Sequence, residues 1–338
     1  MKKKTSLKDI AAAVGVSTAL VSYVLNNKKE GRIRKEVAEK IRHMAVKLNY
    51  QPNQIAKSLK TNRTNTIGLI VADISNPFSS SLARILEDEA DSQGYTVIFG
   101  SSDERSDRCK KLVDTLLNRQ VDGLIILPPA EFEEGINELK QQQIPFVIVD
   151  RYFPDIEANV VKLDNCKAAI EAVTHLLDSG RRKIGMISYK TSLVHIKERA
   201  RGFVAAMKRA GISNSRDWLQ LVDLTNDKSQ IRAAVKGLLS GPRPVEALFF
   251  ASNRIAATAL AYIDELAIKV PEQLALVAFD ETEIFDFYHP PITFVRQPLV
   301  KMGQTAFAML LDNITSNSKC RQVSLKAELV VRQSSLSS

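Results

Sequence analysis

Short continuous runs of apolar residues, separated by stretches of helix length, constrain the fold of this chain more than any other feature. The runs lie at residues 67–71, 96–99, 123–127, 146–149, 184–187, 247–250 and 274–279. A continuous apolar run is typical of a strand buried on both faces of a sheet. Because amphipathic segments lie between most of the runs, the pattern predicts parallel sheets flanked by helices. About a dozen elements over about 270 residues exceed one hydrophobic core, so we expect two α/β lobes.

Polar side chains, and one aromatic side chain, follow several of these predicted strands. They are Ser75, Asn76 and Phe78 after the first run, Asp150 and Arg151 after the fourth, and Asn253 and Asp280 after the last two. Ligands of parallel sheets bind beyond the carboxyl ends of the strands, and two facing lobes form a cleft. Carboxylates, amides, a guanidinium and an aromatic ring suit a polyhydroxylated or otherwise polar small molecule. For each residue alone, a helix cap or a loop hydrogen bond is an open alternative, but the shared pattern favours a binding cleft.

The first 48 residues have a different pattern, typical of three short helices. Apolar residues recur at helical spacing after Ser6, a residue suited to cap a helix, and Gly15 then ends the first helix. Ser17 is suited to cap a second helix, and a third is predicted from about Arg34 to Leu48. Two short helices joined by a tight glycine-containing turn are a helix-turn-helix, whose second helix lies in the DNA major groove.

Charge is concentrated in this N-terminal region. Residues 1–63 contain 15 Lys and Arg against four acidic residues, whereas the remaining chain contains 32 basic and 34 acidic residues. A basic head on a nearly neutral body is typical of phosphate binding, although a solubilising basic arm is an alternative on charge alone. Thr18, Ala19 and Tyr23 are the side chains that the second helix would offer to base edges. The alternative for Tyr23 is packing against the third helix.

Several segments of the chain resemble the LacI/GalR family of bacterial repressors. In the head, the resemblance lies in residues 7–11, 15–17, 21–22 and 24–26, and in the segment 50–59 with its Tyr-Gln-Pro-Asn start. The resemblance implies that residues 53–60 form a hinge helix that becomes ordered on DNA, and that Leu59 enters the minor groove as an apolar wedge. An ordinary packed leucine is the alternative. The implied DNA-binding residues are Ser17, Thr18, Ala19, Ser22, Tyr23, Asn26, Asn53, Ala56, Leu59 and Lys60.

The body resembles the periplasmic-binding-protein-like core of the same family, so the resemblance covers nearly the whole chain. It implies that effector contacts come from Ser75, Asn76, Phe78, Asp150, Arg151, Arg199, Asn253 and Asp280. Arg199 and Asp280 are the first pair we expect, and a surface salt bridge is the alternative for Arg199. The chain departs from the family at Leu20, Tyr23, Leu224, Ala278 and Glu281. The first two put the operator sequence in doubt, and the other three make stacking on a sugar less secure.

The resemblance also implies a domain organisation. We expect a headpiece over residues 1–52, a hinge and linker over 53–65, and an effector-binding and dimerisation core over 66–338. By analogy, lobe one contains about 66–160 with 291–320, and lobe two contains 161–290 with 321–338. The implied protein is a cytoplasmic homodimer that binds operator DNA and a small effector, a sugar or sugar derivative, with no cofactor or metal.

Two other classes of protein fit the sequence less well. An enzyme is disfavoured because the chain has no nucleophile elbow, phosphate loop, dinucleotide fingerprint or metal-ligand spacing, and its histidines are scattered. A free solute-binding protein would need a signal peptide and no basic head. Lysines 2–4 before an apolar stretch superficially resemble such a signal, but the stretch is interrupted by polar residues. The three cysteines form no paired motif, which favours a reducing compartment without disulfides.

Overall fold

The chain divides into two compact units, residues 1–64 and 65–338. The computed structural model describes residues 5–26, 32–50, 63–224, 227–316 and 319–336. Most of the predicted hinge, residues 53–62, lies outside them. Within the described residues, no single helix is long and apolar enough to cross a membrane. The helices Leu7–Val14 and Thr18–Leu25 reach that length and apolar content only when taken together, and a bend of 108° separates them.

The first unit contains three helices, α1 (Leu7–Val14), α2 (Thr18–Leu25) and α3 (Lys35–Lys47). Their ends follow the predicted signals. Ser6 and Asp9 form a reciprocal capping box, Gly15 adopts the left-handed conformation with φ 76°, and the Ser17 side chain accepts from the Leu20 N–H. The buried apolar residues at the centre of the three helices are Ile10, Ala11, Val21, Val24, Ile41 and Ala45. The predicted helix-turn-helix is therefore confirmed.

The second unit contains two six-stranded sheets. The first sheet has the strand order β11-β5-β4-β3-β1-β2, and its neighbouring strands all pair in parallel. Its strands are β1 (Thr66–Val71), β2 (Thr96–Ser101), β3 (Gly123–Ile126), β4 (Phe146–Val149), β5 (Val160–Leu163) and β11 (Gln322–Leu325). Its helices are α4 (Pro77–Ser92), α5 (Ser106–Asn118), α6 (Glu133–Gln141) and α12 (Leu299–Thr315). Two apolar clusters contain side chains of its strands, one with residues of α4 and α12 and the other with residues of α5 and α6.

The second sheet has the matching order β12-β10-β9-β8-β6-β7, in which only β12 is antiparallel to its neighbour. Its strands are β6 (Ile184–Tyr189), β7 (Leu219–Val222), β8 (Ala247–Phe250), β9 (Ala275–Phe279), β10 (Thr293–Arg296) and β12 (Glu328–Val330). The helices are α7 (Asn165–Asp178), α8 (Val194–Arg209), α9 (Asp227–Ser240), α10 (Asn253–Glu265) and α11 (Ile284–Phe287). One large apolar cluster forms the core of this lobe. The predicted two-lobed α/β architecture with parallel sheets is confirmed.

Two expectations about this unit are wrong in detail. The run 96–99 is a strand, but it is not buried on both faces: β2 is the edge of the first sheet, and Ile98 and Phe99 are exposed. The lobe boundaries also move, because β5 and β11 belong to the first sheet and β10 to the second. The crossings therefore fall just after residues 163, 296 and 325 instead of near 160, 290 and 320. These strands are short, and the sheet that each one joins depends on distant pairing that no local pattern encodes.

Candidate functional site

One face of α2 is formed by the residues predicted to contact DNA. Ser17, Thr18, Ala19, Tyr23 and Asn26 are exposed and Ser22 is half-buried, whereas Val21 and Val24 on the opposite side are buried in the core. The Asn26 Nδ2 donates to the Ser22 carbonyl oxygen at 2.7 Å, which fixes the amide at the end of the helix. Tyr23 is 37% exposed, so part of its side chain is accessible from solvent. The other four predicted DNA contacts, Asn53, Ala56, Leu59 and Lys60, lie outside the described residues.

The second candidate site is the cleft between the two lobes of the core, with a cavity volume of about 70 Å³. Six of the eight predicted effector residues line it: Asn76, Phe78, Asp150, Arg151, Arg199 and Asp280. Leu127, Leu193, Ile196 and Leu224 add apolar surface. Leu224, one of the departures from the family, thus lines the cleft, and its aliphatic side chain offers no aromatic ring for stacking on a sugar. The cleft combines charged groups with apolar walls, as small-molecule sites do.

Arg199 on α8 is the most constrained side chain of the cleft. It is only 2% exposed, which rules out the alternative of a surface salt bridge. Its Nε donates to Asn165 at 2.9 Å, and its Nη1 donates to the Ala251 carbonyl oxygen at 2.8 Å and to Asp280 Oδ2 at 3.1 Å. The guanidinium also lies 3.6 Å from the centre of the Phe279 ring. A buried charge needs such a set of partners because it has lost its hydration.

Gly202 explains how α8 brings Arg199 close to Asn165. A Cβ at this position would lie 2.4 Å from the Cys166 carbonyl oxygen, so any larger residue would push α8 away from the N-terminal end of α7. Asn165 is in that first turn of α7, and its Nδ2 in turn donates to the Leu163 carbonyl oxygen at 3.2 Å. Gly202 therefore contributes to the cleft indirectly, by allowing α8 to pack closely against α7.

Asp150 and Asp280 occupy equivalent positions in the two lobes. Each directly follows the third strand from its sheet edge, β4 or β9, and each has a left-handed backbone, with φ 66° and φ 70°. Each backbone N–H donates to the next strand, Asp150 to the Val161 carbonyl oxygen at 2.8 Å and Asp280 to that of Val295 at 3.1 Å. Backbone strain of this kind in a residue with a side chain is concentrated at functional sites. The two carboxylates thus enter the cleft from opposite lobes by the same local structure.

The environments of the two carboxylates differ. Asp280 accepts from Arg199 and, through Oδ1, from Gln297 Nε2 at 2.6 Å. Asp150 faces His195 of the other lobe, whose Nε2 lies 4.0 Å from Oδ2, beyond hydrogen-bond distance. Burial raises the pKa of Asp150 to about 6, although the charges of Arg199 and Arg151 oppose the rise. Burial, together with those same two guanidinium groups, holds the pKa of His195 well below its usual value, so the ring is neutral at pH 7.

The remaining predicted effector residues are distributed unevenly around the cleft. Arg151 forms a two-pronged pair with Glu104, at 2.5 and 2.6 Å, within lobe one. Asn253 at the start of α10 is buried, and its Nδ2 lies 3.4 Å from the Asn76 Oδ1 of the other lobe. Ser75 does not line the cavity: it is exposed, and both its N–H and its hydroxyl donate to Asp73 Oδ1. Here the open alternative of a loop hydrogen bond describes the residue better than ligand contact.

Several polar residues that line the cavity were not predicted as effector contacts from the sequence; among them, His195 lies beside Asp150 and Gln297 donates to Asp280. Both line the cavity and are buried. Gln297 directly follows β10, a strand that the apolar runs did not reveal. His195 precedes Arg199 by four residues on α8, so the two side chains share one helix face. That spacing was the available signal once Arg199 was assigned to the cleft.

A helix-turn-helix with an exposed polar face, in one chain with a two-lobed α/β unit that encloses a polar cleft, defines the class of ligand-controlled DNA-binding regulators. A family model described as bacterial regulatory proteins, lacI family, matches residues 6–53, and one for a periplasmic binding protein-like domain matches residues 173–335. The HTH-type transcriptional repressor CytR of Escherichia coli (strain K12) is 30% identical over 335 residues, 97% of this chain and 96% of the relative. The chain belongs to the LacI family of bacterial regulatory proteins and is a DNA-binding transcription regulator.

Solved structures agree with this assignment at the level of the fold. The crystal structure of the Lac repressor dimer bound to operator and the anti-inducer ONPF has 24% sequence identity and a TM-score of 0.87, covering 99% of this chain and 100% of that one. The complex of the transcriptional regulator CelR with cellobiose has 25% identity and a TM-score of 0.72, covering 98% of this chain and 100% of that one.

Proposed function

We propose that this protein is a cytoplasmic, homodimeric transcriptional repressor whose affinity for a roughly palindromic operator is set by a small polar effector in the cleft. Two heads would occupy successive major grooves, with hinge residues 53–60 and Leu59 of each protomer in the minor groove between them. The observation that carries the proposal is the exposed polar face of α2 in a chain that also has a buried, polar cleft between two lobes. The repressor CytR, similar over nearly the whole chain, supports the direction of regulation.

Selection of binding sites from random double-stranded DNA, using the full chain, provides the operator and tests the proposal. A roughly palindromic consensus is expected because a twofold symmetric dimer reads two half-sites. The selected site should bind with an affinity at least about 1,000-fold above that of unrelated DNA. Sites without internal symmetry, or an affinity independent of sequence, would contradict a symmetric sequence-specific regulator.

Tyr23→Ala is expected to weaken binding to the selected operator by about 10- to 100-fold, since one good base contact contributes about 1–3 kcal/mol of discrimination. Binding to unrelated DNA should change by less than about threefold, because that binding depends on phosphate contacts. Fluorescence anisotropy with both DNAs at one salt concentration measures the two affinities. Val46→Ala on α3, where the side chain is 81% exposed, is the matched control in the same unit. Equal losses on both DNAs would exclude Tyr23 from base recognition.

Contacts between the two lobes support the proposal that the cleft is an effector site coupled to lobe movement. Contacts between the lobes already include His195 with Asp150, Asn253 with Asn76 and the Tyr152 hydroxyl with Glu198 Oε1 at 3.2 Å. A cavity of about 70 Å³ is small beside the roughly 300–1,000 Å³ of typical ligand pockets, so a sugar-sized effector has to change the separation of the lobes. A ligand that prefers one separation shifts the balance between conformations. The complex of CelR with cellobiose supports a sugar or a related metabolite as the effector class.

Exposed apolar side chains on two equivalent edge strands support the homodimer. Ile98 and Phe99 lie on β2 at the edge of the first sheet, and Leu221 lies on β7 at the same edge of the second sheet. Phe99 is 61% exposed, an unusual amount for a phenylalanine on a strand. A second copy of the chain would cover these residues.

Phe99→Glu is therefore expected to raise the dimer dissociation constant by at least about 100-fold, because it buries an unpaired charge at the interface. Sedimentation velocity across a range of protein concentrations measures the change. The control is Leu266→Glu, an exposed apolar residue at the end of α10. A dimer that is equally stable in both variants would show that this face is not the interface.

A further inference from the structure

Three residues that line the cavity, together with the nearby Asn253, have a buried polar atom without a hydrogen-bond partner among the described residues. The atoms are Asp150 Oδ1, Asn253 Oδ1, Gln297 Oε1 and His195 Nδ1. The first three are oxygens that only accept. The amide orientation of Gln297 is fixed because its Nε2 donates to the Asp280 carboxylate, and that of Asn253 follows from its Nδ2 facing the Glu281 carbonyl oxygen at 3.5 Å. An unpartnered buried acceptor is costly, so a ligand that stabilises this cleft has to supply donors.

The positive groups of the cleft are already paired with carboxylates of the protein. Arg199 donates to Asp280, Arg151 to Glu104, and Arg254 Nη1 lies 3.7 Å from Asp73 Oδ2. Each of these three pairs is close to neutral. The cleft therefore offers a ligand more acceptors than cations, which is the reverse of a site for phosphate or carboxylate groups.

Among the described residues that line the cleft, Asp150 is the acidic group that lacks such a cation. The charged and titratable groups around it are Arg151, Arg199, Asp280, Glu104 and His195. The first four form ion pairs with each other, and His195 is a neutral ring that supplies one acceptor nitrogen and one N–H. The ionised carboxylate thus keeps one oxygen available for a ligand donor and repels a ligand anion.

Asp150 and His195 also belong to different lobes. Asp150 follows β4, whereas His195 is in the first turn of α8, four residues before Arg199. Because His195 Nε2 lies 4.0 Å from Asp150 Oδ2, a ligand group bound beside both side chains would contact the two lobes at once. The charge of that ligand group therefore affects its interaction with Asp150 and His195.

We propose that Asp150 and His195 form a charge-selective element, which admits an uncharged ligand rich in hydrogen-bond donors, such as a polyol, and rejects phosphorylated or carboxylated ligands. This inference rests on the proposed function only in taking the cleft as the effector site. In this proposal Asp150 and His195 contact the ligand directly. Neither belongs to the Arg199–Asp280 ion pair, so both can determine which ligand charge is accepted.

The test is binding by the full chain to matched pairs of compounds at pH 7.5. The probes are pentoses and hexoses, each with its phosphate ester, hexoses with their uronates, and nucleosides with their 5′-monophosphates. A ligand of the folded state raises the melting temperature, which fluorescence of the single tryptophan, Trp218, reports, and calorimetry then gives affinities. We expect uncharged members to bind and their anionic partners to bind at least about 100-fold more weakly, since like charges brought together in a buried site are strongly unfavourable.

Asp150→Asn separates the element from the rest of the site, because asparagine keeps the shape and tolerates the left-handed backbone. It should weaken the uncharged ligand by about 10- to 100-fold, as expected for loss of a hydrogen bond to a charged group, and reduce discrimination against the anionic partner to less than about tenfold. His195→Gln should weaken the same ligand. Asp155→Asn, an exposed carboxylate in the same connection, is the matched control and should bind as the unmodified protein does.

Three results would overturn the proposal: an anionic member that binds as tightly as its uncharged partner, a panel in which no uncharged member binds, or an Asp150→Asn variant with unchanged affinity and discrimination. Operator affinity measured in the same samples separates this inference from the proposed function. An uncharged ligand that binds without changing operator affinity refutes the coupling and leaves charge selection intact. An anionic ligand that binds the cleft and changes operator affinity refutes charge selection and leaves the coupling intact.

Discussion

Arg199→Ala is expected to lower the free energy of unfolding by about 3–5 kcal/mol, because it leaves a buried carboxylate without its cation. Asp280 would keep the Gln297 amide as a partner but lose the guanidinium 3.1 Å away. Asn165 Oδ1 and the Ala251 carbonyl oxygen would lose their donor as well, and Phe279 would lose the stacked cation. Urea unfolding of the full chain, followed by Trp218 fluorescence, measures the change, because Trp218 lies in the same lobe as Arg199.

The matched control is Arg201→Ala, two residues further along α8. Its side chain is exposed and forms a surface pair with Glu198 at 3.3 Å, and a surface pair of this kind contributes about 0–1 kcal/mol. A double variant, Arg199→Met with Asp280→Asn, should recover part of the loss, because it removes both charges instead of one. Equal destabilisation by Arg199→Ala and Arg201→Ala would show that Arg199 contributes no buried ion pair.

The expected destabilisation affects the choice of variants for testing the effector site. Because an Arg199→Ala protein is expected to lose stability, its failure to respond to an effector would not by itself identify Arg199 as a binding residue. Asp280→Asn is less damaging, since the amide still accepts a hydrogen bond from Arg199. It should abolish the effector response while leaving operator affinity in place, and is therefore the better first test of the cleft.

Local sequence signals were sufficient for the elements whose ends and buried faces are encoded locally. The caps at Ser6 and Ser17 and the left-handed Gly15 gave the helix-turn-helix, and continuous apolar runs gave the central strands of both sheets. The same signal misjudged β2, because an apolar run on an exposed edge strand has the same sequence pattern as one buried in the core. The short strands β5, β7, β10, β11 and β12 were missed, since their positions in the sheets depend on pairing across the molecule.

The site was predictable only in part for a related reason. Asp150 and Asp280 were visible as polar residues after strands, but Arg199, 81 residues away from Asp280, was expected only through the family resemblance. His195 gave no signal by itself, because a histidine in a helix is ordinary until the neighbouring Arg199 shows which face lines the cleft. The charge selection proposed for Asp150 depends on which acceptors lack partners, a property of the three-dimensional arrangement alone.

Asp150→Asn is expected to stabilise the protein at pH 8 by about 2–3 kcal/mol, an order of magnitude set by 1.36 kcal/mol for each unit of pKa change. Burial raises the pKa of this carboxyl to about 6 from an ordinary value of 3.8, so the folded protein holds its proton more tightly than the unfolded chain. The stability that this group contributes is present below its ordinary pKa and is lost as the pH rises through 6. Asparagine mimics the protonated form at every pH, so the advantage of the variant should shrink towards zero near pH 4.

His195 changes stability in the opposite direction over an overlapping range. Because its pKa is lowered well below 6.5 in the folded protein, the unfolded chain takes up the proton first, and stability falls as the pH decreases below 6.5. The two groups therefore partly cancel in the unmodified protein. Urea unfolding at several pH values between 4 and 8 separates them: Asp150→Asn should steepen the loss on acidification, and His195→Gln should reduce it. A pH-independent difference between Asp150→Asn and the unmodified protein, or the same profile from the exposed Asp155→Asn, would contradict this account.

A substitution that stabilises the protein while weakening its ligand identifies a residue kept for binding. The ionised Asp150 is unfavourable in the ligand-free fold: the carboxylate is buried, one of its oxygens has no described partner, and the neighbouring imidazole is neutral. Those same features make it a strong acceptor for a donor that bridges the lobes, because no protein group has to be displaced. Opposite changes in stability and affinity in the one variant would connect the energetic cost of this carboxylate directly to recognition of the effector.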